Sequence, residues 1–305
     1  MSPPGPLFPK SAIKVALARA AYARGEVRVA DGDVRGFTWL VASPQGVFAV
    51  RREGVKPALF GHFFGICRDG DQFYLFERCA PRGEAEPFGR LLRLTIADGM
   101  LTAPAVLATG LDNGCHQVRV IDGAICVVDT GHQAIRRFAL DGREIDVQRP
   151  LPPGIPGNRS GAYCHINAIA AIGDRLAIML HNGSILPEKH SELAWVRRDW
   201  TLIGRESVPG HSCHDIVADE RGVLWHSASM AGEIISSDGV RVKLADDLMT
   251  RGICFTPDAV IVGKSTFGPR HARDRLRGAV VILDRAFNRI AELELSGAPT
   301  DIVAL

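Results

Sequence analysis

The sequence predicts an all-β fold, a β-propeller of about six four-stranded blades, and three observations carry this prediction. The dipeptide Cys-His begins at Cys115, Cys164 and Cys213, so its three copies are each 49 residues apart. Each copy is followed by an alternating apolar run, a turn and a second apolar run, which is the pattern of two antiparallel strands. The chain also carries strand-like segments near both ends that would complete one blade. A repeat of this length, made of short strands, is typical of propeller blades.

Six inner strands can be followed along the chain. The Cys-His copies provide three of them, and weaker copies of the same phrase begin at His62, at Thr250 and in the C-terminal segment APTDIVAL. Third strands are expected at 90–96, 134–140 and 279–285, and fourth strands at 143–151 and 289–295, with Gly or Asp at the turns. The blade between Arg251 and Thr300 is short, so five or seven blades stay open as alternatives.

The two ends of the chain are expected to close the ring. Residues 300–305 have the pattern of one inner strand, and residues 36–60 have the pattern of outer strands without an inner partner. Pairing them in one blade would remove the open sheet edges that invite aggregation. We therefore expect one propeller domain over residues 36–305. Residues 1–35 are expected to form an N-terminal arm with one helix over residues 11–24.

Composition narrows the classes of function. The 305 residues have a formal net charge of +2 with both signs interspersed, so no basic surface for nucleic acid or membrane is indicated. No apolar run reaches the roughly 18 residues of a membrane span, and no secretory leader is visible. We expect a cytoplasmic protein whose partner is a small-molecule substrate. Seven cysteines, an odd number, favour reduced thiols over a disulfide framework.

Four histidines are predicted to converge on the propeller axis. They lie an even number of residues before an apolar anchor of their inner strands, and an even spacing in a strand places side chains on one face. Rings from four consecutive blades would therefore meet at the end of the axis where inner strands begin. Imidazole is a preferred ligand of Zn²⁺ and Fe²⁺, so we expect a divalent zinc or iron centre. The expected ligands are His62, His116, His165 and His214.

Two structural alternatives accompany this metal prediction. A Gly-His pair at the head of an inner strand, such as Gly61-His62, hydrogen-bonds within its blade in some propellers. The cysteines of the Cys-His pairs should point to the opposite face from the histidines. Because cysteine is among the most buried residue types, packing between blades is the expected role of these three thiols.

Polar residues end the second strands, which return to the same end of the axis. A metal-bound imidazole usually donates its second N–H to a carboxylate or carbonyl, so Glu77 and Asp129 are candidate partners of the ligands. The other polar residues at these strand ends are His181, Asn182, His226 and Lys264.

The blades without an inner histidine carry Arg251 and the pair Thr300-Asp301 at the same level. Arginine is shaped to bind carboxylate or phosphate, so an anionic substrate is expected. The basic loop 265–277 is either solvated or a lid over this site. The motifs of phosphate-binding loops, serine esterases and glycosidases are absent from the sequence, so those activities are unsupported.

The phrases CHINAIA and CHDIVADERGVLW, and the blade pattern over residues 36–305, resemble known six-bladed propellers. They are similar to the gluconolactonase, strictosidine-synthase and NHL-repeat groups, and to bacterial propeller proteins of unassigned activity. The gluconolactonase resemblance implies a calcium site made of a Glu, two Asn and an Asp. Only Asn167 and Asp301 could correspond to members of that ligand set here, and histidines occupy the other positions. This composition disfavours a calcium-dependent lactonase.

The site is also similar in kind to that of peptidyl-hydroxyglycine amidating lyase, a six-bladed propeller whose zinc is held by three His, with an Arg and a Tyr nearby. The residues of similar kind here, which no shared motif aligns with that enzyme, are His116, His165, His214, Arg251 and Tyr163. This resemblance implies a metal-dependent lyase or hydrolase. In it, Arg251 would fix a carboxylate while Tyr163 or Asp129 moves a proton.

Two other functions stay open. With His62 as a fourth ligand, the site resembles that of the carotenoid-cleaving oxygenases, which implies Fe²⁺ and oxygenase chemistry. A non-catalytic propeller that binds or scaffolds other proteins is the alternative from a different class, since fold alone does not establish an activity. Such a platform needs an exposed aromatic patch. Tyr and Trp are scarce here, and Trp195 and Trp200 lie in one blade.

Overall fold

The computed structural model describes residues 9–80, 86–154, 162–183, 189–246, 248–266 and 276–305. Within these residues the strands form six sheets of four or five strands each, which confirms the predicted propeller of six blades. One helix, α1 (Pro9–Arg24), precedes the propeller, in the place where the sequence predicts one. Most of the basic loop 265–277, including His271, lies outside the described residues.

Blade 1 combines strands from both ends of the chain. Its sheet order is β1, β4, β3, β2 and β25. These strands are β1 (Arg28–Val29), β2 (Trp39–Ser43), β3 (Gly46–Arg51), β4 (Gly54–Phe60) and β25 (Asp301–Ala304). Because β25 pairs with β2 from Trp39 opposite Ala304 to Ala42 opposite Asp301, the predicted closure of the ring is confirmed.

The other five blades are each four consecutive strands, ordered from the axis outwards along the chain. Blade 2 contains β5 (Phe63–Asp69), β6 (Gln72–Arg78), β7 (Gly89–Ala97) and β8 (Met100–Leu111). Blade 3 contains β9 (Val118–Ile121), β10 (Ala124–Asp129), β11 (Ala134–Phe138) and β12 (Glu144–Gln148). Blade 4 contains β13 (Ile166–Ile172), β14 (Arg175–Leu180), β15 (Glu192–Arg197) and β16 (Leu202–Ser207).

Blades 5 and 6 repeat this plan. Blade 5 contains β17 (His214–Ala218), β18 (Leu224–Ala228), β19 (Glu233–Ser236) and β20 (Arg241–Lys243), with a short 3₁₀ turn at Ser229–Ala231. Blade 6 contains β21 (Leu248–Phe255), β22 (Val260–Thr266), β23 (Gly278–Leu283) and β24 (Arg289–Leu295). The third and fourth strands predicted from the sequence therefore lie where they were expected, within a few residues.

The hydrophobic core lies between adjacent blades. Second strands such as β10 are buried at every position, because the neighbouring blades cover both faces of each sheet. Fourth strands such as β16 are exposed or half-buried throughout. The thiols of Cys115, Cys164 and Cys213 are buried in three of the apolar clusters. Burial raises the pKa of Cys213 to about 11, so this thiol is protonated at neutral pH and packs as an apolar group.

Polar side chains at the inner strands link three pairs of neighbouring blades. Asp301 of blade 1 accepts a hydrogen bond from Ile66 N in blade 2, at 3.1 Å. Gln117 of blade 3 accepts one from Ile169 N in blade 4 at 2.8 Å. In the same way, Asp215 Oδ2 of blade 5 accepts one from the backbone N–H of residue 252 in blade 6 at 2.7 Å. These bonds hold the six inner strands in a fixed arrangement around the axis.

Helix α1 is anchored on blade 2 by a buried arginine. The guanidinium of Arg90 donates to the carbonyls of Ala21 and Glu26 at 3.3 and 2.7 Å, and it pairs with the Glu77 carboxylate at 2.7 Å. Tyr22 adds an edge-to-face contact with Phe88, whose ring centroid is 5.5 Å away. In the described part of the chain no helix is long and apolar enough to cross a bilayer.

Candidate functional site

Four imidazole rings form a continuous row at one end of the propeller axis. Three belong to the heads of inner strands, where His116 and His165 precede β9 and β13 and His214 opens β17. The fourth, His181, follows the second strand β14 and reaches the same end from there. Ring centroids are 5.5 Å apart between His116 and His165, 4.6 Å between His165 and His181, and 5.0 Å between His181 and His214.

Irregular backbone at the heads of the inner strands directs these side chains. The strand pairs β13–β14, β17–β18 and β21–β22 each contain a register shift. His165 and Asp215 have φ angles of 54° and 59°, in the left-handed region that residues with side chains seldom adopt. Bulges of this kind redirect side chains and are frequent beside functional sites. Strict alternation of faces therefore does not hold at these positions.

A small cavity lies on the axis beside the imidazoles. Its volume is about 10 Å³, which is about the space that one water molecule needs. The residues that line it come from the inner strands of every blade. They are Phe64, His116, Gln117, Asn167, His214, Asp215, Arg251 and Thr300.

A serine hydroxyl determines where His214 carries its proton. His214 Nδ1 lies 2.9 Å from Ser229 Oγ, and this hydroxyl donates its own hydrogen to the carbonyl of Thr250 at 2.7 Å. Since the hydroxyl has only one hydrogen, it must accept from His214 Nδ1. The neutral ring is therefore the Nδ1–H tautomer, with a lone pair on Nε2.

The hydroxyl of Thr130 determines the tautomer of His116 in the same way. The Thr130 hydroxyl donates to the carbonyl of Ile166 at 2.6 Å and lies 2.8 Å from His116 Nδ1. The carbonyl of Gly114, at 2.6 Å, is a second acceptor for the same nitrogen. His116 thus also carries its proton on Nδ1 and a lone pair on Nε2. Thr130 and Ser229 are each the first residue after the second strand of their blade, so the arrangement repeats in blades 3 and 5.

His181 has the opposite tautomer. The backbone N–H of Gly183 donates to His181 Nδ1 at 3.0 Å, so this nitrogen is an acceptor. In a neutral imidazole the second nitrogen is then the donor, and His181 presents Nε2–H. His181 takes the position after its second strand that Thr130 and Ser229 take in the neighbouring blades. The row therefore combines two rings that carry their proton on Nδ1 with one ring that carries it on Nε2.

Burial and neighbouring charges shift two pKa values in the site. The pKa of His214 is well below its usual value, mainly because the ring is buried, and also because of the charge of Arg251 and the other histidines. This ring is neutral at physiological pH. Burial, together with the charge of Asp301, raises the pKa of Asp215 to about 6. Asp215 Oδ2 accepts hydrogen bonds from Ser227 Oγ at 3.0 Å and from a backbone N–H at 2.7 Å.

Three further residues proposed from the sequence lie at or beside the cavity. Arg251 and Asn167 both line it. Tyr163 contacts the edge of His165 with ring centroids 5.8 Å apart, and its hydroxyl donates to the carbonyl of Thr130 at 3.0 Å. Because that hydrogen is committed to a backbone carbonyl, Tyr163 supports the loop of Thr130 in this arrangement and offers no proton to the cavity.

His62 lies apart from the row of imidazoles. Its ring stacks on Phe64 at 5.1 Å between centroids, and Phe64 in turn contacts His116 at 5.7 Å. His62 Nε2 is 2.8 Å from Arg78 Nη2 at the end of β6, so it accepts a hydrogen bond within its own blade. The ladder between β5 and β6 is shifted between Phe63 and Gly65, which explains why alternation does not predict the direction of His62.

The remaining residues proposed as partners of the histidines bind other groups. Glu77 pairs with Arg90, and Asp129 lies 3.0 Å from His132 Nδ1. Burial is the main reason that the pKa values of both carboxyl groups are raised. His226 Nε2 donates to the carbonyl of Pro209 at 2.9 Å.

Asp301 directly follows Thr300, which lines the cavity. It forms a two-pronged ion pair with Arg119 at 2.9 and 3.1 Å. Both side chains bridge blades, because Asp301 belongs to blade 1 and Arg119 to blade 3.

Sequence reasoning missed several polar groups of the cavity. Gln117 and Asp215 directly follow His116 and His214. A polar residue after the Cys-His pair therefore recurs in two of its three copies, and this recurrence could have indicated both residues. The hydroxyls of Thr130 and Ser229 left no such signal, because neither belongs to a recognisable motif.

The fit of these side chains to a metal ion is partial. Imidazoles that share one ion at 2.0–2.1 Å have ring centroids about 4.5–5.5 Å apart, which is the spacing of this row. However, His181 is protonated on Nε2 while Gly183 occupies its Nδ1. Among the described residues, no three His, Cys, Asp or Glu side chains are arranged to hold a metal ion. The spacing suits a metal, whereas the arrangement of donor atoms in this conformation does not.

Comparisons with known proteins identify the fold. The sequence matches no family model and no curated protein. The structure is similar to a chain of the nidogen/laminin complex, with a TM-score of 0.62 and 11% identity, over 88% of this chain and 97% of that one. It is also similar to a protein of unknown function from Bacteroides caccae, with a TM-score of 0.57 and 11% identity, over 88% and 98% of the two chains.

A third similar structure is the WD40 propeller domain of Doa1, with a TM-score of 0.52 and 9% identity, over 92% of this chain and 93% of that domain. At such low identity these likenesses show the propeller fold and nothing about activity. The resemblance to six-bladed propellers is thus confirmed at the level of fold.

Proposed function

We propose that the axial site is the active site of an enzyme that performs lyase or hydrolase chemistry on a small anionic molecule. The observation that carries this proposal is the pair of neighbouring imidazoles in opposite tautomers, His214 with a bare Nε2 and His181 with an Nε2–H, whose ring centroids are 5.0 Å apart. Both reaction types need one group that removes a proton and one that returns it.

His214 is the proposed general base. Its Nδ1–H is held by Ser229, as a base requires if the proton is to arrive on Nε2. The positive charge of Arg251 is one cause of its low pKa. An anionic substrate bound at Arg251 would offset that charge and raise the pKa of His214 when substrate is present. The base would thus become effective only in the complex.

His181 is the proposed general acid. Its ring is the neighbour of His214 in the row, with centroids 5.0 Å apart, and Gly183 stabilises the Nε2–H tautomer by donating to Nδ1. A leaving group placed between the two rings would receive this proton. Arg251, which lines the same cavity, would bind the carboxylate or phosphate of the substrate.

A metal-dependent form of the reaction is a second proposal, favoured by the centroid spacings of 4.6–5.5 Å between consecutive rings of the row. Zn²⁺ or Fe²⁺ would be held by Nε2 of His116 and His214 together with His165, and a bound ion would polarise the substrate and acidify a ligated water. A four-His iron centre, the oxygenase alternative, would need His181 as its fourth ligand, because Phe64 separates His62 from the row.

A turnover screen tests the first proposal. The full chain is incubated with a panel of small carboxylates and phosphates, and products are detected by mass spectrometry. We expect conversion by the wild type, a loss of roughly 10²–10⁴-fold in kcat for His214→Gln and for His181→Gln, and a raised KM for Arg251→Gln. His190→Gln, which changes an exposed histidine, is the matched control and should retain wild-type rates.

Elemental analysis of anaerobically purified protein separates the two proposals. About one equivalent of zinc or iron, lost from the His116→Ala, His165→Ala, His214→Ala variant, would support the metal-dependent form. Turnover by protein that contains no metal and is unaffected by chelators would support the acid–base form. Failure of the wild type to convert any compound would contradict both and leave a binding platform.

A further inference from the structure

Two buried amides line the cavity with one polar atom each that has no protein partner. Gln117 and Asn167 are only 3% and 4% exposed. Among the described residues, Gln117 Nε2 and Asn167 Oδ1 form no hydrogen bond. A buried amide group without a hydrogen-bond partner destabilises the folded protein, so such atoms in a cavity wall indicate a bound group.

The orientation of both amides is fixed by the backbone. Gln117 Oε1 accepts from Ile169 N at 2.8 Å, and Asn167 Nδ2 donates to the carbonyl of Cys213 at 2.9 Å. Rotating either amide by 180° would place two donors or two acceptors against each other. Gln117 must therefore offer an N–H donor at its remaining atom, and Asn167 must offer an oxygen acceptor.

The side chains that carry these two atoms line the same cavity as His214, whose Nε2 has a lone pair. All three residues line the same space of about 10 Å³, which suits a single water-sized group. The bound group must accept one hydrogen bond, from Gln117, and donate two, to Asn167 and His214. A water molecule has two hydrogens and two lone pairs, so it matches this pattern. A halide or carboxylate oxygen has no hydrogen to donate.

We propose that this cavity binds one ordered water molecule, which is the nucleophile of a hydrolytic reaction. The inference rests on the proposed function and selects hydrolysis over the lyase alternative. In the reaction, the water oxygen forms a bond to the carbonyl carbon of an ester or amide, and one water proton passes to His214 Nε2. The bond from that carbon to the leaving oxygen or nitrogen then breaks, and the leaving atom takes the proton of His181 Nε2.

A crystal structure of the full chain at about 1.2 Å resolution tests the water site directly. We expect a fully occupied water peak within about 2.6–3.2 Å of both Gln117 Nε2 and Asn167 Oδ1. Asn167→Leu, which keeps a similar branched skeleton but has no acceptor, should lose the peak. Asn113→Leu is the matched control, because it removes another buried amide, outside the cavity, whose Nδ2 donates to a carbonyl, that of Glu86, and it should keep the peak. An empty cavity or a metal ion in the wild type would overturn the proposal.

Isotope labelling tests the use of the water. A substrate found in the turnover screen is converted in H₂¹⁸O, and we expect one ¹⁸O atom in the product and about 100-fold slower turnover by Asn167→Leu. A product without ¹⁸O would overturn the nucleophile assignment while leaving the enzyme proposal intact. Absence of any turnover would contradict both the proposed enzyme activity and the role of the water as nucleophile. The crystal structure would still show whether the cavity binds a water molecule.

Discussion

The position of a single proton on each imidazole determines what the axial site can do. The hydroxyls of Ser229 and Thr130 each donate their one hydrogen to a carbonyl of the next blade. They can therefore only accept from the imidazole beside them, which stabilises the Nδ1–H tautomer of His214 and His116. The ring tautomers are therefore tied to the packing of adjacent blades. A small movement between two blades would change the hydrogen bonding of the rings before it changed their position.

Replacing Ser229 by alanine should release the tautomer of His214. Without the hydroxyl, Nδ1 loses the acceptor 2.9 Å away, and the neutral ring should populate both tautomers. Long-range ¹H–¹⁵N correlation spectra of ¹⁵N-histidine-labelled protein measure this. We expect the Nδ1–H form in the wild type and a mixed pattern in Ser229→Ala. Ser227→Ala, which removes a hydroxyl bonded to Asp215 instead, is the control and should leave the His214 tautomer unchanged.

Asp215 should make the protein less stable as pH rises through the acidic range. Its pKa is about 6 in the folded protein against an ordinary value of 3.8, because burial and Asp301 outweigh Arg251 and the bonds from Ser227 and the backbone. The folded state therefore binds more protons than the unfolded state between pH 4 and 6, and stability falls across that range and levels off above it. Two pKa units correspond to roughly 3 kcal/mol.

Urea denaturation of the wild type and Asp215→Asn at pH 4 to 7 measures this effect. The asparagine retains an oxygen that accepts from Ser227 and the backbone but does not titrate. We expect the difference in unfolding free energy between the two proteins to change by about 2 kcal/mol, in favour of the variant, as pH rises from 4 to 6. A difference that is constant with pH would contradict the raised pKa.

The sequence indicated part of the site because the Cys-His pairs repeat with the blades. Repeated position in an inner strand is enough to place His116, His165 and His214 at one end of the axis. The end of a second strand also places His181 at this end of the axis, but the sequence does not show that its ring lies between those of His165 and His214. The bare atoms of Gln117 and Asn167 depend on backbone partners in neighbouring blades, which only the folded structure reveals.

At the scale of elements, the Glu77–Arg90 pair joins helix α1 to blade 2. Both side chains are 1% exposed, and the guanidinium also satisfies two carbonyls at the end of the helix. The sequence predicts the helix from its composition, and it predicts β7 from its alternating pattern. The sequence does not predict the contact between α1 and β7, because nothing in the sequence around Arg90 indicates which groups its side chain binds.

Arg90→Leu should both destabilise the propeller and release the helix. Removing one partner of a buried ion pair leaves Glu77 uncompensated and costs about 3–5 kcal/mol. Urea denaturation measures this cost, and hydrogen exchange should show faster exchange over residues 15–26. The control is Arg136→Leu, which breaks the more exposed pair with Glu144 and should cost at most about 1 kcal/mol. Equal effects of the two substitutions would contradict the anchoring role of Arg90.

At the scale of the whole molecule, one strand closes the ring. β25 supplies the inner strand of blade 1, and it packs against the inner strands β5 and β21 of both neighbouring blades. The sequence predicts this closure because residues 300–305 and 36–60 are complementary halves of one repeat. Bulges and blade-to-blade hydrogen bonds were not predictable, because they depend on the angle at which neighbouring blades meet.

Removing residues 300–305 should open the ring and cause association. β2 would lose its partner along the register from Trp39 to Ala42 and expose an unpaired edge next to the axis. Arg119 would lose its carboxylate partner Asp301 at the same time. We expect a marked loss of thermal stability. We also expect oligomers in size-exclusion chromatography with light scattering, because the unpaired edge of β2 can form hydrogen bonds with a strand of another chain.

Adding a synthetic peptide of residues 299–305 in excess should restore the monomer, since the peptide can occupy the place of β25. A peptide with the same composition in scrambled order is the control, because it has the same hydrophobicity but not the register. If the truncated protein stayed monomeric and as stable as the full chain, closure by β25 would contribute little, and the blade-to-blade hydrogen bonds of the other inner strands would have to hold the ring together.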